Sequence, residues 1–208
     1  MQKRTSRGNL GFGQKIAFAL VRGARTIARA AGITSGPTTF AGEFKAEVIG
    51  KDGKVKAVHR FKNGVTNQGL NKILNVMFDA DTQLTTWYLG LISSVSFSAL
   101  AAGDTAAGIN SSNGWTEAGS TNAPDYDEAA RPQWNPAAST AQSSVNTTTV
   151  DFTMAEAGTI KGIFLSSSTT KEGTSGTLWA TGLFPGGDQV VADDDVIKIT
   201  YTVNAAAA

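Results

Sequence analysis

The 208-residue chain contains no cysteine and a single histidine, His59. Without cysteine there is no disulfide, no thiolate nucleophile, no iron–sulfur cluster and no Cys-type zinc site. One histidine excludes H-E-x-x-H and every metal site built on two or three imidazoles. Charge is sparse as well: 17% of residues are Asp, Glu, Lys or Arg, against roughly a quarter in an average domain. Apolar runs stay well short of the roughly 18 residues a membrane-crossing helix needs, so no membrane role is expected. What the chain does have is 41% hydrophobic residues and 23 glycines. The first is enough to form a core. The second, with abundant Ser, Thr and Ala, predicts a surface of hydroxyls and backbone in place of long charged side chains.

The net charge of +1 conceals a strong asymmetry. Residues 1–62 carry 13 basic and 3 acidic side chains, and residues 63–208 carry 5 basic and 14 acidic ones. A basic leader joined to an acidic body suits an acidic partner or a neighbouring copy of the same body. The leader itself holds Lys3, Arg4, Arg7, Lys15, Arg22, Arg25 and Arg29, with no acid before residue 43.

From Gln14 to Ala31, QKIAFALVRGARTIARAA, the spacing predicts a basic amphipathic helix. Ile16, Leu20, Ala24 and Ile27 form one row and Arg22, Arg25 and Arg29 another. Gly32 is a plausible stop and Gly36-Pro37 a linker. An Arg-rich, acid-poor segment also matches a transit peptide, and its cations would suit nucleic acid or an anionic membrane surface. The reading carried forward is a docking arm, with Lys15, Ile16, Leu20, Arg22, Arg25, Ile27 and Arg29 as its partner-binding residues. Residues 1–41 are then a basic helical arm and linker, and residues 42–208 a β body.

In the body, GEFKAEVI at 42–49 alternates apolar and charged residues, Asp52-Gly53 turns, and 54–61 returns as the second strand of a hairpin. Residues 66–78 read as a short helix with Asn67 as N-cap and Leu70, Ile73, Leu74 and Met77 on one face. Strands follow at 84–92, 145–154, 159–165, 176–184 and 196–203, rich in Thr, Val, Ile and aromatics. Stretches 93–114 and 122–144 show no periodicity, and loops of this length usually carry function or contacts. The four terminal alanines read as a tail. The pattern predicts an all-β chain, mainly an antiparallel β-sandwich and jelly-roll-like, with one short internal helix and the N-terminal arm.

Catalytic constellations are thin. His59 lies in VHRF with no serine elbow beside it, and reads as structural or solvent-facing. The acidic groups Asp125, Asp127, Glu128 and Asp193, Asp194, Asp195 could in principle run carboxylate chemistry or hold Ca²⁺, but both fall in turn-like text, where acids mostly cap. Gly11-Phe12-Gly13 lacks the preceding strand a dinucleotide site needs. No catalytic residue, cofactor or metal site is therefore expected. Trp87 and Trp179 read as core. Trp115 and Trp134, in loops, are candidate glycan-binding residues or staples that pin loops to the body.

From Asn63 to Ala205, an ordered set of segments can be read: NGVTNQGLNKILNVMF, TTWYLGLIS, GDTAA, NGWTE followed by YDEAARPQW, VDFTM, TIKGIFLSS, and GTLWATGLF before DDDVIKITYTV. Together they resemble a family of small β-rich virion structural proteins of tailed bacteriophages, from the head-decoration and head–tail region. The resemblance implies a non-enzymatic building block, located in the virion and assembled in the host cytoplasm. It implies phage major capsid or neck and tail proteins as partners, and a homo-oligomer, a trimer by preference. The arm lies outside the resemblance. Neck, tail or fibre-anchoring roles are the alternative within the class, and a carbohydrate- or nucleic-acid-binding module the alternative outside it.

Overall fold

The computed structural model describes residues 38–207. The hairpin forms as its alternation predicts. Strand β1 (Thr38–Ile49) buries Phe44, Ala46 and Val48 and turns Glu43, Lys45 and Glu47 away from the core. It pairs antiparallel with β2 (Val55–Val65), which places Phe61 opposite Phe44 with their rings 5.5 Å apart and tilted at 42°. Both strands are longer than the pattern indicates. β1 starts inside the segment read as linker, because Phe40 finds a partner in Trp179, with ring centroids 6.2 Å apart.

Helix α1 (Asn67–Phe78) follows β2 directly. Its N-cap is Thr66, one residue before the predicted Asn67: the hydroxyl accepts from Gly69 N–H at 3.0 Å and donates to the Leu178 carbonyl. One side chain thus caps the helix and ties it to the sheet. Gly69 permits the close approach, since a Cβ there would stand 2.9 Å from the Trp179 carbonyl oxygen.

Eight further strands complete the chain: β3 (Trp87–Ser93), β4 (Gln133–Trp134), β5 (Ser143–Val145), β6 (Val150–Thr153), β7 (Gly158–Ser166), β8 (Leu178–Leu183), β9 (Gln189–Val191) and β10 (Val196–Ala207). Every pairing is antiparallel. They form one sheet ordered β4-β3-β7-β8-β2-β1-β10-β5, with β6 on β10 and β9 on β7. The sheet curls until its ends meet: Ala137 N–H donates to the Val145 carbonyl at 2.8 Å and Pro136 bridges Asn146. Such closure leaves few unpaired edges. The all-β, antiparallel class is as predicted. It is delivered by one continuous curled sheet, in which β2 belongs to both facing halves.

The predicted 145–154 strand is broken into β5 and β6, because Asn146 turns inward: its amide donates to the Ile199 carbonyl and its side-chain oxygen accepts from Tyr201 N–H. Of the alanines read as a tail, the described ones continue the last strand: β10 runs to Ala207, and Ala205 N–H donates to the Gln142 carbonyl. At the tightest crossing of β7 and β8, a Cβ on Gly162 would lie 2.0 Å from the Gly182 carbonyl oxygen, so only glycine fits.

The main core fills the curl with Phe44, Leu89, Leu91, Phe152, Ile163, Leu165, Ile197, Ile199 and Tyr201 among others. A second cluster lies on the other side of β3, β7 and β8. There Ile92, Phe164 and Leu178 are covered by Ala106, Ile109 and Trp115 from the long 94–117 connection. Periodicity does not reveal that connection because its order comes from side-chain ties. Thr105 caps a single 3-10 turn (Ala106–Gly108), and Asn113 bonds the backbone of Thr105 through both its amide atoms. Phe40–Ala205 forms one compact unit.

Candidate functional site

The first place to look for chemistry is the buried polar cluster under the loops. Glu117 and Arg131, 0% and 1% exposed, form a bidentate ion pair: Arg131 Nε and Nη2 donate to Glu117 Oε1 and Oε2 at 2.8 and 2.6 Å. Glu117 also accepts from Glu172 N–H at 2.7 Å and the Tyr126 hydroxyl at 3.3 Å. Arg131 donates further to the carbonyls of Ser168 and Gly173 and lies over the Phe164 ring. Burial pushes the Glu117 carboxyl above the usual carboxylate range, and the Arg131 guanidinium opposes the rise. Burial likewise pushes the Tyr126 phenol far up. These donors and acceptors satisfy one another and join three separate loops. The arrangement is a clasp, and the sequence signal for it, one Glu and one Arg among small residues, is too slight to read.

Four of the six clustered acids, Asp125, Glu128, Asp194 and Asp195, make similar ties. Asp195, 2% exposed, accepts from Ala192 N–H at 2.8 Å and pairs with Lys56 at 2.6 Å, closing the turn before β10. Asp194 pairs with Lys51, and Asp125 with Lys171. Glu128 accepts from Thr153 N–H at 3.1 Å. His59 bonds the Gln189 side chain at 2.7 Å and packs 4.9 Å from the Phe184 ring, a structural position.

Trp115 and Trp134 are not a glycan platform. They are 1% and 6% exposed and belong to different clusters. Trp115 donates to Asp104 at 2.9 Å, and Trp134 to the Tyr201 carbonyl at 3.1 Å. A sugar needs an exposed ring face, and these rings use their faces for packing. Trp115 is the loop staple that the sequence offered as the other reading, whereas Trp134 lies not in a loop but in β4, packed in the main core.

The surface that stands out is apolar. The predicted face of α1 exists, but most of it faces away from the body: Leu70, Leu74 and Met77 are 36, 53 and 67% exposed, and only Ile73 of the row packs on the core; Phe78, outside that row, is 81% exposed. Beside it a hollow of about 540 Å³ opens between α1 and the end of the curled sheet, lined by Phe40, Ile73, Leu84, Trp87, Trp179 and Val203 among others, with Trp134 contributing to its wall. A smaller hollow of about 200 Å³ continues along the helix past Val76 and Met77. Met77 lines this apolar groove, and Leu70, Leu74 and Phe78 extend the exposed apolar surface around the helix, the kind of patch that marks a binding surface.

Lys15, Ile16, Leu20, Arg22, Arg25, Ile27 and Arg29, the arm residues singled out from the sequence, lie outside the described residues. Among the described residues no helix is long and apolar enough to cross a membrane.

No protein-family model matches the chain, and no curated protein matches it either.

Proposed function

We propose that the chain is a non-enzymatic structural protein of a tailed-bacteriophage virion, which decorates and stabilises the capsid through its N-terminal arm as a homo-oligomer, by preference a trimer. The observation that carries this reading is the exposed apolar face of α1 along the aromatic groove. A body that leaves Met77 and Phe78 in water is suited to having them covered in an assembly. The rest of the body suits the same role. Its sheet is curled and closed, its long loops are clasped by Glu117 and Arg131, and its surface is low in charge. In this jelly-roll-like building block, symmetric neighbours would order the arm.

On this reading the apolar stripe of the arm, Ile16, Leu20 and Ile27, buries on a partner in the virion, while Lys15, Arg22, Arg25 and Arg29 meet carboxylates. Replacing Arg22, Arg25 and Arg29 together by Glu is expected to abolish incorporation into particles and leave the thermal unfolding of the body unchanged. Normal incorporation of that variant refutes the docking role. A neck, tail or fibre-anchoring station is the alternative within the class, and copy number per particle separates the two. A carbohydrate-binding module is the alternative from another class, and the burial of its candidate residues Trp115 and Trp134 counts against it. Glycan-array silence of the full chain dismisses it. Nucleic-acid binding through the arm predicts affinity that falls steeply with salt, and a flat salt dependence dismisses that.

A further inference from the structure

The groove and the arm have complementary chemistry. Resting on the assembly reading above, we infer that the groove between α1 and the sheet end receives residues 14–31 of a second copy of this chain. The occupant is argued from three observations.

First, the groove is apolar and elongated. It runs from Phe40, Trp87 and Trp179 along Ile73 and Val76 to the exposed Met77. An amphipathic helix laid in a groove is a recurrent way to cover such a surface, with anchors at helical spacing. Ile16, Leu20, Ala24 and Ile27 supply that spacing.

Second, the charges match. Residues 1–37 carry seven basic side chains and no acid, and residues 38–208 carry 11 basic against 17 acidic ones. The one charged side chain in the groove lining, Lys72, is already paired with Asp81 at 2.6 Å. The last turn of α1 holds no basic residue, so the negative end of its dipole is not offset within the helix, and the exposed Asp79 caps it. Arg22, Arg25 and Arg29 sit on the flank of the arm's apolar row, where a carboxylate beside the groove could meet them.

Third, the lengths agree. An 18-residue helix from 14 to 31 spans ~27 Å, enough to run the length of α1 and the adjoining hollow. The six-residue linker 32–37 reaches ~20 Å when extended, which allows an arm to leave one body and lie on the next. Arms exchanged in this way generate a closed ring when the rotation closes, as a cyclic trimer would. The polar atoms around the groove, from Gln83, Thr85 and Ser144, are few beside its apolar and aromatic wall. This makes a peptide stripe a better complement than a sugar.

The absence of native cysteine gives a direct test. One full-length preparation carries Ile16→Cys, a second carries Met77→Cys, and the two are mixed and oxidised. A control mixture pairs Ile16→Cys with Val55→Cys, exposed at 58% on β2. The inference expects cross-linked dimers from Ile16→Cys with Met77→Cys in about tenfold excess over the control. Adding Val76→Glu, which puts a carboxylate in the apolar groove wall, is expected to bring that yield down to the control while thermal unfolding shows that the body still folds. Equal yields in the two mixtures overturn the inference. So does a single chain bearing both cysteines that closes on itself as a covalent monomer. Cross-linking reports on copies of the purified protein, and incorporation reports on particles. Failed cross-linking with normal incorporation removes the groove inference alone. Successful cross-linking of a chain that particles never contain upholds the groove inference and removes the virion reading.

Discussion

Replacing Arg131 by Met tests whether the Glu117–Arg131 clasp organises the long loops. The substitution keeps the bulk of the side chain over Phe164 but removes the guanidinium that supplies two of the four donors around Glu117. A carboxylate with no exposure would then keep only Glu172 N–H and the Tyr126 hydroxyl. Stranding one partner of a buried pair costs about 3–5 kcal/mol. The Ser168 and Gly173 carbonyls each lose a charged donor as well. A loss of about 4 kcal/mol is a large fraction of the roughly 5–15 kcal/mol that stabilises a domain. It corresponds to a fall of about 10 °C in Tm for a body of this size. Urea titration and thermal unfolding measure it. The pH dependence adds a second reading. With the guanidinium gone, burial alone acts on Glu117 and raises its carboxyl further. The folded variant then holds a proton that the unfolded chain has already released. Its stability therefore falls as pH rises above the ordinary carboxylate range, more steeply than that of the wild type. Pairing Arg131→Met with Glu117→Leu is expected to recover part of the loss, because no buried charge remains, although Glu172 N–H and Tyr126 stay without their acceptor. An Arg131→Met protein within about 1 kcal/mol of wild type and flat in pH would refute the clasp.

Gly162→Ala is expected to abolish cooperative unfolding or lower Tm sharply, since the added carbon meets the Gly182 carbonyl oxygen at 2.0 Å and backbone cannot swing aside; a wild-type melting curve contradicts this. Tyr201→Phe removes the acceptor shared by Trp179 Nε1 at 2.9 Å and Asn63 Nδ2 at 3.0 Å. It should cost about 1–3 kcal/mol by urea titration, and a change near zero would show that another acceptor takes over. Trp115→Phe leaves the buried Asp104 with Ala101 N–H but without the indole donor. It should raise hydrogen exchange across residues 97–115 before it affects the main core, and uniform exchange would contradict the separate second cluster.

The parts of the fold written in the sequence are those where one local rule decides. Alternation put Phe44, Ala46 and Val48 inside, and Asp52-Gly53 made the hairpin. The apolar row 70–77 made a helix, although the same row gave no warning that Leu74 and Met77 would face outward. Amphipathicity shows that a face wants cover, not whether the same chain provides it. The rest was hidden because distant residues decide it. Strand β4 is only two residues long and exists because Trp134 lies opposite Trp87. The 93–114 and 122–144 stretches carry no period because side-chain ties, such as Asn113 with Thr105 and Arg131 with Glu117, do much of the work of backbone ladders there. The turn acids Asp194 and Asp195 read as solvated or metal-holding, but they find Lys51 and Lys56 more than 100 residues away in sequence.

The most direct test of the assembly account is to count the chain in intact particles, by quantitative mass spectrometry and by density in a particle reconstruction. The account predicts copies in proportion to symmetry-related sites on the shell, each body touching a neighbour at the α1 face. Purified particles that lack the chain, or density in which Leu74, Met77 and Phe78 face open solvent on every copy, would contradict it.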